Sequence, residues 1–194
     1  PLAFAVQTYG WRETMWGLAV AAVMIAVALM IVLRDPPKEE TTGEEVGSLL
    51  TLLTNRNLLL MFPLMLVNYA PAMGIRGLWA GPYFENVFGL DQIGIGRATL
   101  MMALAMALGN FAYGPAERLF GSKKRVIISG NLAGAALCFS LWLWPDISWL
   151  SSALLFMAIG FFGASYPVIM AHGQIFLPKH LTGRGITLLN LFGI

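Results

Sequence analysis

Thr14-Met-Trp-Gly-Leu-Ala-Val-Ala-Ala-Val-Met-Ile-Ala-Val-Ala-Leu-Met-Ile-Val-Leu33 contains no charged residue and one hydroxyl. At 1.5 Å per residue a helix of this length crosses a hydrocarbon layer about 30 Å thick. With no polar side chain beyond Thr14, it can face lipid around its whole circumference. The pattern recurs along the chain. Asn57–Ile75 is uncharged and resumes beyond Arg76 to Phe84; Ala98–Ala116, Val126–Pro145 and Ile147–Pro178 follow, and Gly185–Ile194 begins a sixth run. Hydrocarbon offers no water to satisfy backbone groups, so each run is a helix or part of a closed barrel. The unbroken apolarity excludes the alternation of a barrel strand.

Composition agrees. Of 194 residues, 58% are apolar and 11% charged, against roughly 25% charged in soluble domains. The missing polar skin excludes a soluble globular domain. A formal charge of +2 excludes an extended basic surface for nucleic acid, and the single Cys138 excludes an internal disulfide or a cysteine zinc site.

Orientation follows from the loops, because Lys and Arg concentrate on the cytoplasmic side. Nine of the twelve basic residues lie in 34–56, 117–125 and 179–184, which places these loops in the cytoplasm. The longest of them, with Asp35, Pro36, Pro37 and a run of Glu, reads as a linker over 34–56 that cannot fold alone. Its last part, Gly47–Asn55, reads as a short helix on the membrane surface. The expected organisation is therefore 1–33, with a span at 14–33, then the linker, then a helical bundle over 57–194 cut off in its fifth helix. Pro1–Tyr9 has no basic region of a signal peptide. The chain reads as about half of a longer membrane protein.

Polar residues inside the runs mark candidate sites. Tyr69, Arg76 and Tyr83 recur every seven residues, two helical turns apart, and so share a face, with Asn68 beside it. Pro63 and Pro71 each remove a backbone hydrogen bond and bend the same helix. Arg76 lies about 11 Å beyond the middle of its run at 1.5 Å per residue, where a guanidinium either serves a solute or snorkels to the interface. Asn110, Tyr113 and Glu117 share a face of the next run, and Ala105-x-x-x-Gly109 suits close packing, as do Gly160, Gly163, Ala164 and Ser165 in the fifth. Asn68 and Asn110 serve equally as interhelical bonds, and Tyr69, Tyr113 and Tyr166 as packing residues. His172 and His180 lack a third ligand at helical spacing and read as surface residues, so no metal is expected.

The order of these features resembles the major facilitator superfamily of secondary transporters. Pro1-Leu2 with Gly10-Trp11-Arg12 is similar to the end of that family's fifth helix and its turn into the sixth. The acidic linker is similar to the loop between its halves. Gly114-Pro-Ala-Glu117-Arg118-Leu-Phe-Gly121-Ser-Lys123-Lys124-Arg125 is similar to its basic loop motif, one residue shorter between Gly114 and Glu117 than usual. Pro178-Lys-His-Leu-Thr-Gly183-Arg184-Gly185 with Asn190 is similar to its loop into helix eleven.

The resemblance implies an all-α polytopic bundle, helices six to eleven of a twelve-helix fold, in the bacterial inner membrane. It implies that the seventh and tenth helices line the cavity while the sixth and ninth are peripheral. The expected function is secondary transport of a small solute, an anion if Arg76 faces it, with or without a coupling ion. The missing half and the lipid bilayer are the other expected partners, and no cofactor or catalytic residue is expected. Expected solute contacts are Asn68, Tyr69, Arg76, Tyr83, Asn110, Tyr113, Tyr166 and Asn190. Expected gating residues are Glu117, Arg118, Lys123, Lys124, Arg125 and Arg184. The alternatives are a membrane enzyme built on His172, His180, Glu117 and Asp91, and a non-transporting scaffold or receptor.

Overall fold

The computed structural model describes residues 2–33 and 49–193, which are helical with no strand among them. The chain divides after residue 45 into two units. The first holds α1 (Leu2–Tyr9) and α2 (Trp11–Val32). Gly10 adopts φ 89°, a left-handed conformation that a side chain would strain, and this turns the chain between them. Thr14 donates to the Gly10 carbonyl at 2.7 Å, so the one hydroxyl of α2 is satisfied within the chain. Most of residues 34–56, expected as the linker, lie outside the described residues.

The second unit begins with α3 (Leu49–Leu53) and α4 (Arg56–Gly74), which runs through a wide turn at Ile75–Trp79 into α5 (Ala80–Phe88). α6 (Gln92–Phe120), α7 (Lys123–Leu143), α8 (Trp149–Gly163), α9 (Tyr166–Gln174) and α10 (Thr182–Leu191) follow. Although the sequence assigns 49–56 to the linker, Leu52 is 2% exposed and joins the core with Leu58 and Leu189. Among the described residues, five helical stretches are long and apolar enough to span a membrane: Trp11–Val32, Arg56–Phe88, Gln92–Phe120, Lys123–Leu143 and Trp149–Gln174. Their outward faces carry Leu104, Leu108, Phe111, Leu132 and Phe139, all exposed. Water would penalise such a surface, whereas hydrocarbon accepts it.

Two apolar clusters hold the second unit together. One joins Phe84, Met102, Phe156 and Ile159 from α5, α6 and α8. The other joins Met65, Tyr113, Ile127 and Ile169 with the α3 and α10 leucines. α6 and α8 pack closely, and small residues permit it. A Cβ on Gly160 would come within 2.9 Å of Met102 Cγ, and one on Gly109 would meet the Phe161 carbonyl oxygen.

Pro63 and Pro71 both sit inside α4, and the chief irregularity lies just beyond them. The Ile75 carbonyl accepts from Ala80, five residues on, which inserts an extra residue into the turn. One residue is about 100° of an α-helix, so the seven-residue stripe does not carry across this turn. Arg76 emerges exposed, while Tyr83 is half buried against α8.

Candidate functional site

The fifth apolar run is not one helix. α8 ends at Gly163 and α9 starts at Tyr166 with Pro167 in its first turn, leaving a break at Ala164–Ser165. Proline has no N–H to give a preceding turn, so Pro167 suits a helix start and disfavours continuation. Backbone groups freed at such a break require partners inside the protein. Tyr113 of α6 donates its hydroxyl to the Phe162 carbonyl at 2.7 Å. Asn68 of α4 donates from Nδ2 to Ser165 Oγ at 2.7 Å and to Asn131 Oδ1 of α7 at 2.9 Å. Asn131 in turn donates to the Ile127 carbonyl at 2.9 Å, and the Ser165 hydroxyl also meets Tyr113.

Four spans thus meet at one buried polar node. Asn68 is 6% exposed and Ser165 is fully buried. Gly130 makes the node possible, because a Cβ there would overlap the Tyr113 hydroxyl. Of the expected residues, Asn68 and Tyr113 are brought together here. Tyr166 donates to Asn190 Oδ1, tying α9 to α10 immediately beside the break.

The others lie elsewhere. Tyr83 donates to the Pro145 carbonyl, shares a 2.9 Å hydrogen bond with Ser152, and stacks on Phe156 at 5.3 Å. That arrangement pins α5 to α8 and to the loop before it. Arg76 and Asn110 are exposed. The side chain of Tyr69 lies outside the described residues.

The loop residues cap helices. Gly121 closes α6 at φ 68° and donates to the Glu117 carbonyl at 2.9 Å. Lys123 reaches Glu117 at 4.0 Å, while Arg118, Lys124, Arg125 and Arg184 are exposed. Asp91 accepts from Gly94 at 2.8 Å and so caps the start of α6. His180 is exposed as expected. His172 is not a surface residue: its ring is half buried edge-on to Phe176, and Nδ1 is buried without a hydrogen-bond partner among the described residues.

Sequence reasoning missed Asn131 and used Ser165 only as a small residue. The missed signal was Asn131 itself, a lone amide in an uncharged run assigned to a peripheral helix, since hydrocarbon makes such an amide costly unless bonded.

The profile described as Major Facilitator Superfamily matches residues 2–193. The chain belongs to the major facilitator superfamily. It is also 28% identical over 186 residues to the membrane sensor protein UhpC of Escherichia coli (strain K12), covering 83% of this chain and 42% of that protein. The chain therefore spans less than half the length of this relative. No solved structure matches it. The superfamily is one of membrane transporters, and this member is a multi-pass membrane protein.

Proposed function

We propose that the chain is the second half of a secondary active transporter that moves a small solute by alternating access. The observation that carries this reading is the break at Ala164–Ser165, tied to α4 and α6 by Asn68 and Tyr113. Discontinuous helices near the midplane are the elements around which such proteins bind and rock. The break lets α9 and α8 reorient as separate rods while the node limits where they rest. Arg76 is an exposed charge eight positions beyond Asn68 in the chain, about 12 Å along a helix and on a different face. Its guanidinium favours an anionic solute by direct attraction at reduced dielectric. Asn110, Tyr166 and Asn190 offer polar contacts, with Asn68 and Tyr113 positioning the break. A first half, absent from this chain, completes the pathway, and a solute or ion gradient supplies the energy. Glu117, Lys123 and the neighbouring cations latch helix ends in one of the two states.

The test is solute affinity of the full-length protein across organic anions, sugars, amino acids and cations, with Arg76→Lys and Arg76→Gln beside the native residue. A solute-facing Arg76 gives partial loss in the lysine variant and a greater loss, about 2–5 kcal/mol for a buried pair, in the glutamine variant. Equal affinity in all three, with folded protein, removes Arg76 from the site.

A receptor is the second reading, favoured by the relative's name as a membrane sensor. It keeps the solute site and the break but produces no net flux.

A further inference from the structure

The end of the linker is packed inside the second unit. Leu52 of α3 and Leu58 of α4 are buried in one cluster with Leu177 and Leu181, from the segment after α9, and Leu189 of α10. Leu53, beside Leu52 on the same short helix, is exposed. Leu177 fills the notch left by Gly185, where a Cβ would overlap its side chain, and this seats the segment after α9 on α10.

Asn55 adds a polar tie. Its Oδ1 accepts from the Asn57 N–H at 3.0 Å and caps the start of α4, which fixes the amide's orientation and turns Nδ2 the other way. That Nδ2 donates at 3.4 Å to the carbonyl of Phe176, just past the end of α9, where carbonyls lack a following helical N–H.

α9 is therefore tied to α4 at both ends. Ser165 before its start takes a hydrogen bond from Asn68, and Phe176 beyond its end takes one from Asn55. Different structure backs the two ties. Asn68 is braced by α7 through Asn131, whereas Asn55 directly follows α3, the end of the linker whose residues 34–48 join α2 to α3.

We propose that Leu49–Asn55 is a strap on α9: by holding Phe176 and the segment after it, the linker's end sets how freely α9 swings about the break at Ala164–Ser165. The proposal rests on the reading of that break as a joint. A rod of nine residues carries few contacts of its own, so ties at its ends weigh heavily on its freedom. Movement of the first unit against the second reaches α9 along the chain, through residues 34–48, Leu52 and Asn55.

The test is hydrogen exchange of the full-length protein in mixed micelles, without solute, followed by peptide mass spectrometry. Leu52→Ala removes the buried leucine, Asn55→Ser keeps a cap on α4 but is too short to reach Phe176, and Leu53→Ala is the exposed control. Leu52→Ala is expected to speed exchange across 166–181 by about tenfold or more while 149–163 stays at the native rate, because local opening sets the exchange rate. Asn55→Ser is expected to give a smaller rise over the same residues, about two- to tenfold, the size of one hydrogen bond. Leu53→Ala should leave both segments unchanged. Native exchange across 166–181 in Leu52→Ala and Asn55→Ser overturns the proposal, as does an equal rise in 149–163 and 166–181, or an effect of Leu53→Ala matching that of Leu52→Ala. Should Leu52→Ala fail to fold, Asn55→Ser decides alone. No solute or gradient enters the measurement, so a chain that transports nothing can still show the strap, and a missing strap leaves the transport reading standing.

Discussion

Gly130→Ala tests the polar node through a clash that the structure defines. The new Cβ would overlap the Tyr113 hydroxyl and lie 3.1 Å from Tyr113 Cζ. The ring must then withdraw, and the hydroxyl loses the Phe162 carbonyl that it holds at 2.7 Å. Losing an interhelical hydrogen bond in a membrane protein costs about 0.6 kcal/mol on average and up to about 1.7. Overpacking adds about 1–3 kcal/mol. Replacing glycine by alanine inside a helix returns about 0.8–1.0. The net destabilisation is expected near 1–3 kcal/mol. Tyr113→Phe removes the obstructing oxygen and costs about one hydrogen bond by itself. In that background Gly130→Ala should cost close to nothing, since only the ring carbons remain and these need yield by a few tenths of an ångström. The double-mutant cycle, read by reversible unfolding in mixed micelles, should show a coupling of about 1–2 kcal/mol, the size found for residues in contact. Strict additivity would refute the reasoning, because it would mean that Gly130 and Tyr113 do not meet.

Gly109→Ala should destabilise by about 1–3 kcal/mol, since its Cβ would sit 2.9 Å from that of Ala164, whereas Gly114→Ala on the same helix meets nothing and should be neutral or stabilising. Equal effects in the same unfolding assay would count against close α6–α8 packing. Glu117→Gln loosens a 4.0 Å pair at a partly exposed position, so stability should change by less than about 1 kcal/mol while inter-helix distance probes report a shifted inward/outward population. Cysteines introduced in 117–125 and 179–183 should label from the cytoplasmic side alone, and those in 85–92 from the opposite side alone; labelling of both sets from one side would break the assignment of spans.

The spans were legible because hydrocarbon tolerates so few charges that the charge-free runs delimit them directly. Asn68 and Tyr113 were legible as polar residues in such runs. Their partners were not. Asn131 stands 63 positions from Asn68, and Ser165 stands 97, and no local pattern encodes a contact across that distance. Seven-residue spacing placed Arg76 and Tyr83 on one face by assuming an uninterrupted α-helix. The i→i+5 turn at Ile75–Trp79 separates them. The break before Pro167 did carry a signal, since Ser165-Tyr166-Pro167 is a helix-start pattern; unbroken apolarity on both sides outweighed it. Leu52 looked like one leucine of a surface helix because its burial depends on α10, more than 130 positions later.

Net flux is the property that separates a transporter from a receptor with the same architecture. The full-length protein should be reconstituted into proteoliposomes with a solute that it binds, and radiolabelled solute inside the vesicles followed under an imposed ion or solute gradient. The account predicts gradient-dependent accumulation that Arg76→Gln abolishes or sharply slows. Saturable binding of that solute by folded protein, with no uptake under any imposed gradient, would contradict it.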